Sequence, residues 1–306
     1  MVLHCFIVEK RQGIEKASEN GRNGKRRREN SANKNSDLTP SRENAETRRV
    51  RWFSDGAASA VATKLDIQEH GVEAGPVVIC DTGAEDEDNY RFRADCEEWF
   101  GCSITVIKSE EYESVFDVWQ KRRFMSGQNG APCTKAMKFV PRLNFEEYGD
   151  IHIFGYTADL NDVKRAYRLT GEFRPGCFET PLISRDITKA NCLALLEGAG
   201  IEQPRTYAMG FPNANCLQFG CVKAQSPRYW ALFRQQFPDR FERTAVLARE
   251  LGVKLAQMGE EKGKNGERIV IRGFIDDIPA DFPTTDAIAP TCDLLCSINA
   301  QDLSDA

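Results

Sequence analysis

Three groups of residues in this chain are equipped for chemistry. The first is the loop SDGAAS at 54–59: Ser54 and Ser59 offer hydroxyls, Gly56 an uncluttered backbone, and Ala57, Ala58 and Ala60 start a helix. A helix start presents unpaired amide donors and the positive end of the helix dipole, so it favours an anion such as phosphate. Asp55 inside the loop reads two ways, as a cap on that helix or as part of the anion site itself. The second group is spread over DTGAEDED (81–88), GQNGAPCTKAMK (127–138) and GYTADL (155–160), which supply Asp81, Thr82, Gly83, Lys135, Lys138 and Gly155. Arg offers phosphate a bidentate fork and Lys a point charge. The third group is five cysteines: Cys133, the pair Cys216 and Cys221 in NCLQFGC, and the pair Cys292 and Cys296 in TCDLLC. Cysteines paired four or five residues apart on turns can point thiolates at one centre, and soft thiolates select zinc or an iron–sulfur cluster. Spacing alone leaves the two metals open. A thiol not used as a ligand, Cys133 above all, is a candidate nucleophile if Lys135 or Lys138 lowers its pKa.

These residues need elements to bring them together. Apolar runs at 50–53, 75–80, 103–107 and 150–155 read as buried strands, separated by helical patterns at 57–68, 86–100 and 113–120. Strands of this kind alternating with helices predict a doubly wound, mostly parallel α/β sheet, Rossmann-like in class. Ligands of such sheets bind outside the carboxyl ends of the strands, and all four loops above fall at such ends. Beyond about residue 191 helices dominate, at 189–198, 227–237 and 239–258, with one short strand near 269–271. The expected organisation is a polar leader at 1–48, a nucleotide-binding α/β domain at 49–188, and a helical, cysteine-bearing C-terminal region at 189–306. The leader is rich in Asn, Ser and charge, a composition that cannot offset the entropy cost of folding. Its run GKRRREN is either a nucleic-acid contact, a localisation tag or a solvated tail.

Composition narrows the class. With 306 residues, 28% of them charged, and a net charge of −5, the chain suits a soluble protein and does not present as a broadly basic nucleic-acid binder. No apolar run approaches the roughly 18–20 residues needed to cross a bilayer, and the first residues make a poor secretory signal, so no membrane association is expected and cytoplasmic location is the default. Eleven cysteines in such a setting do not predict disulfides. Cys5, Cys80, Cys96, Cys102, Cys177 and Cys192 stand singly in apolar or amphipathic surroundings and read as small buried hydrophobes. Tyr229, Trp230, Phe233 and Phe237 recur at helical spacing and read as core, Arg122 reads as a solvated face, and the three histidines are isolated.

The loop SDGAAS resembles the PP-loop of the adenine nucleotide alpha-hydrolase-like superfamily. DTGAEDEDNYRF, GAPCTKAMK and NCLQFGCVKAQSPRYWALFRQQFPDRFER resemble segments of the phosphoadenosine phosphosulfate (PAPS) reductase family, over roughly residues 49–296. The resemblance implies an adenine nucleotide, ATP or PAPS, lying across the sheet, its phosphate or sulfate at Ser54, Gly56, Ala57 and Ser59, and Thr82 with Gly83 on the adenosine side. GYTADL with Arg165 resembles the family's segment after the fourth strand, which implies that Gly155 gives the ligand room to approach and that Arg165 contacts it. It also implies sulfur chemistry, either sulfonucleotide reduction or ATP-dependent sulfur transfer, with a four-iron four-sulfur cluster on cysteines and, as partners, an electron or sulfur donor protein or a nucleic-acid substrate. Cys133, Cys216, Cys221 and Cys296 are the preferred ligands, with Cys292 the competing fourth. Two departures matter. The superfamily loop reads SGGxDS, whereas here Ala58 replaces the acidic fifth residue, and TCDLLC lacks the Glu, Gly and His of the family's ECGxH-type reductase segment. A nucleotide-binding module with structural zinc is the competing expectation.

Overall fold

The computed structural model describes residues 47–127, 130–214 and 216–285. The polar leader, Cys292 and Cys296 lie outside the described residues.

Five strands form one parallel sheet: β1 (Arg49–Phe53), β2 (Val77–Cys80), β3 (Ile104–Ile107), β4 (Ile151–Phe154) and β5 (Phe178–Glu179), in the order β3-β2-β1-β4-β5. Helices α1 (Ala57–His70), α2 (Asp88–Phe100) and α3 (Val115–Arg122) follow the first three strands. The doubly wound α/β expectation holds. The order reverses between β1 and β4, so the crevice at their carboxyl ends is the topological switch point, where open α/β sheets receive their ligands.

Each face of the sheet has its own core. Phe53, Ile79, Ala60, Val61 and Phe92 pack with α1 and α2 on one side; Val50, Trp52, Val78 and Phe154 pack with Leu169 and Phe173 on the other. β1 is buried throughout although its sequence is RVRWF. Its two arginines are neutralised from α1: Arg51 Nε donates to Asp66 Oδ2 at 2.6 Å and Arg49 Nη2 to Asp66 Oδ1 at 2.5 Å, with Glu179 also bonding Arg49. Buried charge is tolerated when it is paired and hydrogen-bonded in this way.

Between β3 and β4 the chain runs through α4 (Pro132–Thr134), a π-helical turn at Lys135–Phe139, and α5 (Val140–Phe145). After β4 come α6 (Leu160–Ala166), α7 (Leu169–Glu172), α8 (Pro181–Ser184), α9 (Lys189–Gly198), α10 (Arg205–Ala208), α11 (Pro227–Gln236) and α12 (Pro238–Glu250). A third apolar core joins Ala84, Trp119, Met125 and Met137 to Cys216, Tyr229, Trp230, Phe233 and Ile278, so the C-terminal region shares its interior with the loops at the top of the sheet. Tyr229, Trp230 and Phe233 are core, as their spacing predicts.

The expected helix at 239–258 is corrected. α12 stops at Glu250, Gly252 turns the chain at a φ of 68°, and Ala256–Lys262 forms β6, paired antiparallel with β7 (Arg268–Gly273). The polar break GEEKGKNGE is the end and turn of this hairpin. Among the described residues no helix is long and apolar enough to cross a membrane.

Candidate functional site

A cleft of about 310 Å³ opens at the switch point. Ser54 stands at the end of β1, Gly56, Ala58 and Ser59 at the start of α1, and Gly155 at the end of β4. Facing them are Lys138 from the π-helical turn, Arg165 from α6, Lys189 from the start of α9 and Tyr207 from α10. The sequence-predicted Ser54, Gly56, Ser59, Lys138, Gly155 and Arg165 therefore share one cavity.

The loop is held by its own hydroxyls. Ser59 Oγ accepts from the Ser54 amide at 3.1 Å, lies 3.1 Å from Ser54 Oγ, and donates to Gly56 O at 2.9 Å. Gly56 is the N-cap residue of α1, with extended backbone and no side-chain cap, so the amides of the first turn are left for a ligand. Gly155 serves this geometry: a Cβ there would stand 2.6 Å from Ser59 Cα and 2.7 Å from Ser59 N. Its missing side chain makes room for the helix start, where the sequence suggested room for a ligand.

Asp55 does not cap the helix. It sits at a φ of 53°, is 1% exposed, and turns inward to Arg93 of α2, whose Nε and Nη2 donate to its two oxygens at 3.1 and 2.7 Å. Burial pushes its carboxyl up to about 6, against the pull of Arg93, so it is ionised and paired at neutral pH. Ala57 is fully buried beneath the loop. Ala58, where the superfamily loop carries an acid, lines the cleft, so neither residue brings a carboxylate into it.

The DTG segment has a structural role at two of its three positions. Asp81 accepts from the Gly83 amide at 2.9 Å and pairs with Lys108 at 3.1 Å; burial opposes its ionisation, but these two partners hold it below the usual carboxylate range. Gly83 has a φ of 59° and packs against Glu113, leaving no space for a side chain. Neither lines the cleft. Thr82 lines a smaller pocket of about 30 Å³ that shares Ser54 and Lys138 with the cleft and also touches Asp55, Asn89, Cys80 and Cys216. Burial pushes the Cys80 thiol up to about 12, and it remains a protonated donor to Lys138 O at 3.7 Å.

The thiols meet in part. Cys216 and Cys221 are buried in the third core and Cys133, half-buried, packs against it. Cys133 and Cys221 line neither cavity. Among the described residues the group of three ligand-type side chains whose donor atoms lie within 4.8 Å of one another is Asp66, His70 and Glu179, and there Arg49 and Arg51 already neutralise the carboxylates. A tetrahedral zinc at about 2.3 Å from each thiolate holds its ligands under about 4 Å apart. Cys133, Cys216 and Cys221 by themselves do not fit a zinc centre. A four-iron cluster spaces its thiolates more widely, and three thiols in one apolar core are the right donors for it in kind.

Lys189 and Tyr207 were not identified in the sequence. Lys189 Nζ donates to Tyr207 Oη at 2.8 Å, and its backbone amide donates to Asp159 Oδ2 at 2.8 Å. A signal existed: a lysine at the first position of a helix opposes the helix dipole and needs another reason to be there. Arg165 donates to Asp162 Oδ1 at 2.6 Å, which fixes its guanidinium beside the cleft. The outer wall hangs from the DTG loop. Asp86, fully buried, takes Arg205 of α10 at 2.7 Å and Arg240 of α12 at 2.9 Å; burial opposes its charge, yet the two guanidiniums hold its carboxyl below the ordinary range.

No protein-family model matches the chain, and no curated protein matches it. Among solved structures it is similar to a phosphoadenylyl-sulfate (PAPS) reductase from Candida auris in a phosphate complex, at 12% identity and a TM-score of 0.38, over 55% of this chain and 81% of that one. So slight a likeness decides neither fold nor activity. The class stands on the strand order and the cleft: a doubly wound α/β protein with an anion-receptive helix start at its switch point.

Proposed function

We propose that the chain is a PAPS reductase-like enzyme that binds an adenine nucleotide in the switch-point cleft and carries out sulfur chemistry on or through it. The observation that carries this reading is the convergence of Ser54, Gly56 and Ser59 with Lys138, Arg165 and Lys189 around one cavity. The uncapped α1 amides and the Ser54 hydroxyl would receive a phosphate or sulfate, and the three cations would balance its charge. Trp52, Phe154 and Tyr156 give the cavity an apolar wall that keeps these contacts partly dry and strong. Cys133, Cys216 and Cys221, with Cys292 or Cys296 as the fourth thiol, are the residues proposed to hold a four-iron four-sulfur cluster, a group that would supply electrons or sulfur. An electron or sulfur donor protein and a nucleic-acid acceptor belong to the same proposal.

Of the two chemistries, cleavage of ATP gets the weaker support from the loop, since Ala58 faces the cleft and Asp55 is turned away to Arg93. The same observation favours one competing reading, a module that binds the nucleotide and leaves it intact. Anaerobic incubation with ATP and with PAPS, each with a dithiol present as two-electron donor, followed by assay of AMP, pyrophosphate, adenosine bisphosphate and sulfite, separates the three. Sulfite identifies a reductase, AMP with pyrophosphate a sulfur-transfer enzyme, and no turnover with either nucleotide refutes the enzyme. Iron with acid-labile sulfide in the anaerobically purified protein supports the cluster; a colourless protein holding one zinc refutes it. For the loop, Ser54→Ala combined with Ser59→Ala is expected to abolish adenine-nucleotide binding with the circular dichroism spectrum unchanged, and undiminished affinity would sink the assignment.

A further inference from the structure

Tyr207 brings to the cleft a hydroxyl whose proton has no acceptor. The residue comes from α10 and lines the cavity, and its Oη stands 3.5 Å from the point a Cβ would occupy on Gly56, beside the uncapped start of α1. Lys189 Nζ donates to that oxygen at 2.8 Å. An ammonium carries donors only, so Oη accepts in this bond and the phenol's own proton is directed elsewhere. Among the described residues nothing takes it. Both side chains are anchored from behind. The Thr188–Asn191 capping box sets the start of α9, where the Lys189 amide also bonds Asp159. Two residues before Tyr207, Arg205 donates through Nε to Asp86 and through its amide to Asp88, each at 2.7 Å.

We infer that Tyr207 is a direct ligand of the oxyanion received by the cleft, its hydroxyl donating to a terminal phosphoryl or sulfuryl oxygen, and that Lys189 acts in part by orienting this phenol. The inference rests on the nucleotide reading above and adds to the loop a donor from the facing wall. Lys189 takes up the acceptor side of Oη, which leaves the O–H bond to turn toward the cavity. A hydroxyl that accepts from a cation is polarised as a donor, and hydrogen bonds in such a chain strengthen one another. Its bond to a charged oxygen belongs to the strong class, roughly twice a neutral one. The α1 amides, the Tyr207 hydroxyl and the Lys189 ammonium are donors together, so the group seated among them must accept from all of them. An ionised phosphoryl or sulfuryl group does that; an amine or a ring N–H does not.

The experiment is calorimetric titration of the full chain with ATP, PAPS and adenosine bisphosphate, in the wild type, Tyr207→Phe, Lys189→Met and the double variant. Tyr207→Phe keeps the ring and deletes the donor, so its melting temperature is expected to stay within about 2 °C of the wild type. Its affinity for the nucleotides that the wild type binds is expected to fall about 10- to 100-fold, the range for a hydrogen bond to a charged group. A loss with ATP or with the bisphosphate assigns the contact to a phosphoryl oxygen, and a loss confined to PAPS assigns it to the sulfuryl group. Lys189→Met is expected to cost about tenfold by itself but no more than about threefold beside Tyr207→Phe, because part of its effect is then already gone. Unchanged affinity for every nucleotide in Tyr207→Phe would overturn the inference while the nucleotide reading stands, and fully additive losses would overturn the part given to Lys189. A wild type that binds none of the three would instead refute the nucleotide reading, and the inference with it.

Discussion

Removing Arg93 tests whether Asp55 is a structural anchor of the loop. Arg93→Met keeps much of the side-chain length and deletes the charge, leaving the Asp55 carboxylate 1% exposed with neither of its two hydrogen bonds, at 3.1 and 2.7 Å. Breaking a buried pair from one side costs about 3–5 kcal/mol. For a folded unit of this size each kcal/mol moves the melting temperature by about 2–4 °C, so the loss at about pH 7.5 is roughly 6–20 °C. The pH dependence carries the sharper test. Burial already pushes the Asp55 carboxyl up to about 6 with Arg93 in place, and without it the folded-state value rises further. A carboxyl whose folded pKa lies above its unfolded one contributes full stability below the unfolded value, and that contribution is lost as pH rises through the folded one. The gap between variant and wild type should therefore narrow as pH falls from about 7.5 to about 5, as Asp55 takes up a proton. Thermal melts by circular dichroism across this range measure it, and Asp55→Asn added to Arg93→Met should recover part of the loss. Unchanged melting at neutral pH, or a gap that widens toward acid, would refute the buried-pair reasoning.

Two further substitutions address the cleft. Gly155→Ala drives a Cβ to 2.6 Å from Ser59 Cα, where backbone must move, so about 1–3 kcal/mol of stability and roughly 10- to 100-fold in ATP affinity should be lost; Gly171→Ala, with open space around it, is the control that should melt no lower than the wild type. Lys189→Met removes one of the cations lining the cavity and its bond to Tyr207 at 2.8 Å. Calorimetry should show ATP binding weakened about tenfold and its salt dependence reduced, with melting shifted by no more than about 2 °C.

Much of the framework was legible because buried parallel strands announce themselves as unbroken apolar runs. PVVIC is such a run and IHIF is broken only by His152, and the loops after them fall at carboxyl ends of strands whatever the strand order. The order itself was not legible, since register depends on contacts between distant segments. β6 escaped because AQMGEEK is an exposed ribbon strand whose support is its pairing with β7, not a buried face. Asp55 kept its two readings because its partner, Arg93, lies 38 residues further on and belongs to another helix. Lys189 and Tyr207 reach the cleft only because α9 and α10 fold back over the start of α1. For Ser54 and Ser59 the local pattern was sufficient, because the hydroxyls and the helix start are neighbours in the chain.

The salt bridges at Asp86 set limits on recombination. Its carboxylate comes from the loop after β2, while the guanidiniums that satisfy it come from Arg205 and Arg240, 119 and 154 residues later. A chimaera joining the sheet of this protein to a foreign C-terminal half would inherit a buried carboxylate with no counter-charge and an open apolar core. Crossover points that work must carry the 81–88 loop together with the helices at 205–240 as one inherited block, however far apart they stand in the gene.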